Sequence, residues 1–199
     1  MTPPMADGSV TLYAAHALQF ALGGVFLLAA VPKLRRPGAF ARTVAGHGLL
    51  PAALVPAAAA ILVLVESFLA LALLTGWLRS AALPLAIVTV LVFIAAVGIN
   101  LRRGRRVPCG CFGTSGEALS ARTMARLSLL LLAAALLTLL SATGAGPLTA
   151  GRLIAGGWAG LAYGTQTAAL ALFLLMLAVW ALHLPELVAL LRSREMESI

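Results

Sequence analysis

Apolar residues run along this chain in long blocks with few polar interruptions, and the lengths of those blocks constrain the fold first. A helix rises about 1.5 Å per residue, so crossing roughly 30 Å of hydrocarbon takes about 20 residues. Runs of that length lie near 11–31, 52–76, 81–101, 124–143 and 167–191. The pattern predicts an all-α protein, a polytopic transmembrane helical bundle with a four-helix core over residues 1–143 and a further C-terminal transmembrane helix with a polar tail over 167–199. Between them, residues 144–166 are rich in Gly and lack a full apolar run, which predicts an outer loop or a shallow interfacial hairpin with Trp158 and Tyr163 at headgroup depth.

Shorter features refine this map. The first run is not preceded by basic residues and is followed by KLRRP, which suits a retained helix rather than a cleaved signal. Pro37 and Pro51 bracket GAFARTVAGHGLL, where Phe40, Val44 and Leu49 or Leu50 fall near helical spacing; this predicts a short amphipathic helix on the membrane surface. Gly23, Gly24 and the alanines of AALVPAAAA suit close helix contact through small residues. Pro56 and Pro84 fall in the first turns of their spans, where a missing N–H does least harm.

Composition agrees with the pattern. Of the 199 residues 62% are apolar and only 10% charged, and the mean hydropathy is +1.05. These values lie outside the range of soluble domains, and the length leaves no room for a separate catalytic domain. The net charge of +8 is read as a topology signal, because Lys and Arg beside a span accumulate on the cytoplasmic side. With the N-terminus outside, Lys33, Arg35, Arg36, Arg42, Arg102, Arg103, Arg105, Arg106, Arg122, Arg126, Arg192 and Arg194 fall inside, and only Arg79 and Arg152 fall outside. The C-terminus and the 102–121 loop are then cytoplasmic. Membrane lipid is the expected partner of these charges, and their lack of aromatic interleaving argues against nucleic acid.

Within the spans the polar outliers are Glu66, His16 and Gln19. A carboxylate in hydrocarbon is costly unless it is neutral or paired, so an intramembrane acid is a functional candidate by default. Counting helical rise puts Glu66 near the depth of His16 and Gln19, which predicts a hydrogen-bonded cluster of the three with a protonated Glu66 as donor. A structural clasp, proton transfer and quinone contact are all open to such a cluster. Asn100 and His183, each near a helix end, are read as interfacial.

The only two cysteines stand one residue apart in RRVPCGCFGTS. Reactivity belongs to the thiolate, and Arg102, Arg103, Arg105 and Arg106 just upstream favour that form. A single intervening residue closes a very small, strained disulfide ring, and strained disulfides are readily reduced. Gly110 and Gly113 give the turn freedom, and Pro108 fixes its approach. Three readings stand: a redox pair, ordinary small residues of a loop, or half of a zinc site with His47 as a third ligand, for which nothing supplies a fourth.

The ordered combination AVPKLRRPGAFARTVAGHGLLP, an acid in the next span, then INLRRGRRVPCGCFG resembles the methylamine-utilisation MauE family, within the wider DoxX-like group of redox-associated membrane proteins. The resemblance covers roughly residues 14–140. It implies a compact four-helix bundle in a bacterial inner membrane and a role in maturing a disulfide-rich exported protein, as for the small subunit of methylamine dehydrogenase. The family pattern touches Lys33, Phe40, Leu50, Pro51, Glu66, Arg103, Gly104, Cys109, Gly110, Cys111, Phe112 and Gly113. The fifth span and the Gly-rich loop depart from the usual four helices and point to a related client as readily as to methylamine dehydrogenase itself.

Disulfides of exported proteins form outside the cytoplasm, whereas the charge bias puts Cys109 and Cys111 inside. Either the pair exchanges electrons with a cytoplasmic thiol donor and passes them across, which with no other cysteine requires a quinone or a thioredoxin-like partner, or the topology is inverted, or the turn dips into the bundle and is reached from elsewhere. The sequence therefore points to a membrane redox accessory in which Cys109 and Cys111 exchange thiols and disulfides, supported by Arg103, Arg105, Arg106, Gly110, Phe112 and Gly113. The alternative is a non-enzymatic anchor for a thioredoxin-like partner.

Overall fold

In a computed structural model of the chain, the residues described are 10–105, 120–142, 154–158, 160, 163–169 and 171–172. Every regular element among them is helical. They are α1 (Val10–Arg35), α2 (Pro37–Gly46), a 3₁₀ turn (Ala52–Leu54), α3 (Val55–Thr75), α4 (Arg79–Arg102) and α5 (Ala121–Ala142). Four of these stretches are long and apolar enough to cross a membrane: Thr11–Arg35, Ala52–Thr75, Arg79–Arg102 and Ala121–Ala142. Each matches a span predicted from the sequence. Of the predicted fifth span, 167–169 and 171–172 are helical and the remainder lies outside the described residues.

The helices pack as α1 on α3, α4 on α5, α1 on α5 and α3 on α4, with α2 lying against α3. The central core holds Leu22, Phe26, Leu69, Leu73, Leu83, Val90, Leu127 and Leu137. Large aliphatics on the outside, such as Leu64, Leu71, Leu132 and Leu139, are exposed, as expected where hydrocarbon rather than water is the outer solvent. Hydrophobicity therefore cannot bring these helices together, and close packing of small residues takes its place. Gly23 shows this directly: a Cβ there would lie 2.9 Å from Leu74 Cγ and 3.1 Å from the Leu74 backbone nitrogen. Gly24 has open space instead, so only one of the two predicted contact glycines makes the close approach. Buried Ala59, Ala70 and Ala72 continue the contact face of α3.

Helix ends follow their sequence signals. Pro37 and Pro56 occupy the first positions of α2 and α3. Gly76 ends α3 in the left-handed region with φ of 70°, and the tight turn that follows also forces Leu78 to a φ of 53°. The short amphipathic helix predicted after Pro37 is α2. It buries Phe40 against Ala59 and Val63 of α3.

One polar assignment changes. Asn100 is wholly buried rather than interfacial, because its side chain is bonded within the bundle. Tyr163 is also buried: its hydroxyl pairs with His16 Nδ1 at 2.8 Å and its ring lies 4.5 Å from that of Tyr13. Trp158 is exposed. His183 lies outside the described residues.

Candidate functional site

The polar groups inside the bundle sort to its two ends. At the end carrying Tyr163, Gln19 Nε2 donates to the Leu73 carbonyl at 2.8 Å. Arg79 donates through Nη1 to Gln19 Oε1 at 3.2 Å and through Nη2 to Ser141 Oγ. One buried guanidinium thus ties the start of α4 to α1 and to the end of α5. Its place among the last residues of α5 also suits a cation beside a helix C-terminus.

Glu66 belongs to the other end. It is 0% exposed, and its Oε1 accepts from the ammonium of Lys33, itself 1% exposed. The predicted cluster of Glu66 with His16 and Gln19 is therefore corrected. Gln19 meets α3 at Leu73, seven positions from Glu66 in the sequence and about 10 Å along the helix axis. Lys33 reaches Glu66 because side chains on a helix lean toward its N-terminus, which for the last turn of α1 is the direction of the membrane interior. A lysine at this position would ordinarily extend outward into the headgroups; here a buried carboxylate turns it inward.

Aromatic rings complete the pair. The Lys33 ammonium lies 4.9 Å from the ring centroid of Phe40 on α2 and 5.5 Å from that of Phe93 on α4, both within cation–π range. Four elements therefore converge on one ion pair. Glu66 Oε2 has no hydrogen-bond partner among the described residues.

Two apolar cavities flank Phe40 and share Lys33. One, of about 330 Å³, lies between α2, α3 and α4, with Val44, His47, Leu62, Phe93 and Ala96 in its walls. The other, of about 510 Å³, opens between the end of α1, α2 and α3 beside Ala59 and Leu64.

His47 and Asn100 form the boundary of the first cavity. Asn100 Nδ2 donates to the Ala96 carbonyl at 2.9 Å and lies 3.1 Å from His47 Nδ1. A carbonyl only accepts, so it fixes which end of the amide faces it. The second amide N–H then makes His47 Nδ1 an acceptor, and the ring proton resides on Nε2. Burial holds the His47 imidazole below its ordinary pKa, in keeping with the neutral form. His47 is thus a half-buried wall residue rather than a surface residue, and the zinc reading, which needs Cys109 and Cys111, lies outside the described residues. Among the described residues no group of three His, Cys, Asp or Glu side chains could hold a metal ion.

Just beyond, Gly48 takes a φ of +61°, and the Arg105 guanidinium occupies the space a Cβ would need. Arg105 is the last described residue before the segment that carries the cysteines. Arg103 caps α4 and Gly104 follows with φ of 65°. Arg106, Cys109, Gly110, Cys111, Phe112 and Gly113 lie outside the described residues.

Sequence reasoning singled out Glu66 but missed its partner. Lys33 is the only lysine in a chain with 14 basic residues, a signal that was open to reading. Phe93 and Asn100 gave none, since each looks like an ordinary span residue.

These features define a class: a small multi-pass helical membrane protein with a buried ion pair at one end of its bundle. The sequence model of the family described as methylamine utilisation protein MauE matches residues 11–141, and the chain belongs to that family. Among curated proteins it is similar to methylamine utilization protein MauE of Paracoccus denitrificans, 36% identical over 109 residues, which are 54% of this chain and 59% of the relative. It is likewise similar to methylamine utilization protein MauE of Methylophilus methylotrophus, 36% identical over 106 residues, covering 53% and 54% of the two chains. The matched region thus spans between half and three-fifths of these relatives. No solved structure matches the chain.

Proposed function

We propose that this protein supports thiol–disulfide exchange during maturation of an exported protein, with Cys109 and Cys111 as the exchanging pair. The names of the two relatives suggest that the client belongs to methylamine utilisation, with the small subunit of methylamine dehydrogenase or a related disulfide-rich protein as the substrate. The observation that carries the reading is the sequence of the basic end. Both sulfurs of the chain follow directly on Arg102, Arg103, Arg105 and Arg106, and guanidinium groups favour thiolates.

In the proposed step the Cys109 thiolate attacks a disulfide of a thioredoxin-like partner, forming a mixed disulfide and releasing one partner thiolate. Cys111 then attacks Cys109 Sγ, which releases the second partner thiol and leaves a Cys109–Cys111 disulfide. Client thiols, directly or through a carrier that relays electrons across the membrane, reduce that disulfide in turn. One disulfide is consumed on the partner and one is formed on the client, with two electrons passing from client to partner.

The test is the Cys109→Ser, Cys111→Ser double variant, with client thiols trapped by alkylation in intact cells. The reading expects client to accumulate with reduced thiols. Client that oxidises normally overturns it. A second reading, a non-enzymatic anchor for the same partner, is favoured by the convergence of four elements on the Lys33–Glu66 pair, which could serve as a clasp alone. It expects partner recruitment to survive the double substitution.

A further inference from the structure

We propose that the cavity between α2, α3 and α4 binds the head of an isoprenoid quinone drawn from the bilayer. Its mouth decides the source of the occupant. Val92 and Ile99 of α4, at the rim, are exposed, and on a membrane-spanning helix such residues face hydrocarbon. A ligand arriving there comes from lipid, and a long apolar tail can remain outside between Val92 and Ile99.

The polar groups decide the chemistry of the head. Lys33 lies at one part of the wall and His47 at another, and the remaining lining is almost entirely apolar. Lys33 carries three N–H donors and commits one to Glu66. Its contacts to the faces of Phe40 and Phe93 are ones that a carbonyl acceptor can replace. His47, with Nδ1 accepting from Asn100, retains Nε2–H as a donor. The site therefore offers two N–H donors and flat aromatic walls, and its other polar lining group, the Thr43 hydroxyl, already commits its proton to the Ala39 carbonyl. A quinone presents the complement: a flat ring with a carbonyl acceptor on each side.

Charge excludes the nearest rival. The Lys33 ammonium is already neutralised by Glu66, so an anionic head such as a fatty-acid carboxylate would enter without a counterion. A bare acyl chain would fill the volume but leave the His47 donor without a partner. The 330 Å³ volume falls within the range of small-molecule pockets, which are mostly apolar with few placed polar groups.

The inference does not depend on the cysteines, so binding should persist in the Cys109→Ser, Cys111→Ser protein. The experiment uses the full chain in nanodiscs with a short-tailed ubiquinone bearing a photoreactive azide. Labelling should map to Lys33, Leu62 and residues 37–51 and 89–102 and be blocked by excess unmodified ubiquinone. His47→Phe, which keeps the ring volume, should weaken binding about 5-fold, the effect of one hydrogen bond. Ala96→Leu, which fills the cavity, should abolish saturable labelling, and the elution profile and far-UV circular dichroism of each variant report that it folds. Labelling outside these residues, equal affinity in both variants, or block by oleate as effective as by ubiquinone would each overturn the proposal. The last result would make the cavity an acyl-chain slot.

Discussion

Removing one member of the Lys33–Glu66 pair should damage the fold far more than removing both. Both side chains are almost completely enclosed, so a charge that stays in place cannot be hydrated when its partner is lost. Breaking a buried pair on one side typically costs 3–5 kcal/mol. Lys33→Met keeps the length of the stem but strands the Glu66 carboxylate. It also removes the contacts to Phe40 and Phe93, each about 0.5–1 kcal/mol. The expected loss is about 4–7 kcal/mol. Glu66→Leu strands the ammonium, but Lys33 stands in the last turn of α1 and can extend outward to the headgroups, so about 2–3 kcal/mol is expected. The double variant Lys33→Met, Glu66→Leu replaces the pair by apolar volume, and its cost should fall to roughly 0–2 kcal/mol. Denaturant unfolding of all four proteins in the same nanodisc, followed by far-UV circular dichroism, gives the coupling energy directly. A double variant whose loss equals the sum of the two singles within about 0.5 kcal/mol would refute the reasoning, because independent side chains add.

Two further outcomes follow from the geometry. Gly23→Ala should destabilise by about 1–3 kcal/mol, because the added methyl meets the Leu74 backbone, whereas Gly24→Ala, with open space, should be neutral or stabilise by up to about 1 kcal/mol in the same unfolding assay; equal losses at both sites would contradict the close approach of α1 and α3. Burial lowers the His47 pKa in the folded protein, so the unfolded chain takes up the proton first as pH falls: stability should be complete above about pH 6.5 and decline as pH drops from there toward the folded-state value. Melting temperature against pH should show this slope in the native protein and lose it in His47→Phe.

The four spans were legible because membrane crossing imposes a length that apolar runs record directly. Each predicted stretch lies within a few residues of its helix, and α2 was legible from its bracketing prolines and from Phe40 and Val44. The partner of Glu66 was not. Matching depths by helical rise treats the side chain as a point on its axis, yet Lys33 carries its charge about one helical turn away from its own Cα. That displacement is enough to exchange one predicted set of partners for another. Asn100 was illegible for a related reason: a polar residue at a helix end reads as interfacial unless a neighbouring segment covers it, and the cover here is the His47 turn. Which segment folds over which end is a tertiary fact that periodicity does not record.

The two ends of the bundle differ in a way that bears on where function can sit. At one end Arg79 joins α1, α4 and α5 through neutral partners, Gln19 and Ser141, and Tyr163 closes over His16; such bonds fix helix positions. At the other end the paired charges stand beside two cavities, and α2 separates the cavities by a single ring, Phe40. The α4 terminus is fastened to the turn after α2 by Asn100 on His47, and the Arg105 guanidinium lies beside Gly48. The chain therefore leaves α4 toward Cys109 and Cys111 from a position held against the same turn that walls the first cavity. A bundle needed only as an anchor would gain nothing from leaving volume around a buried ion pair, since filling that volume with larger side chains would improve packing. Persistent space beside costly buried charge is the pattern expected of a binding site.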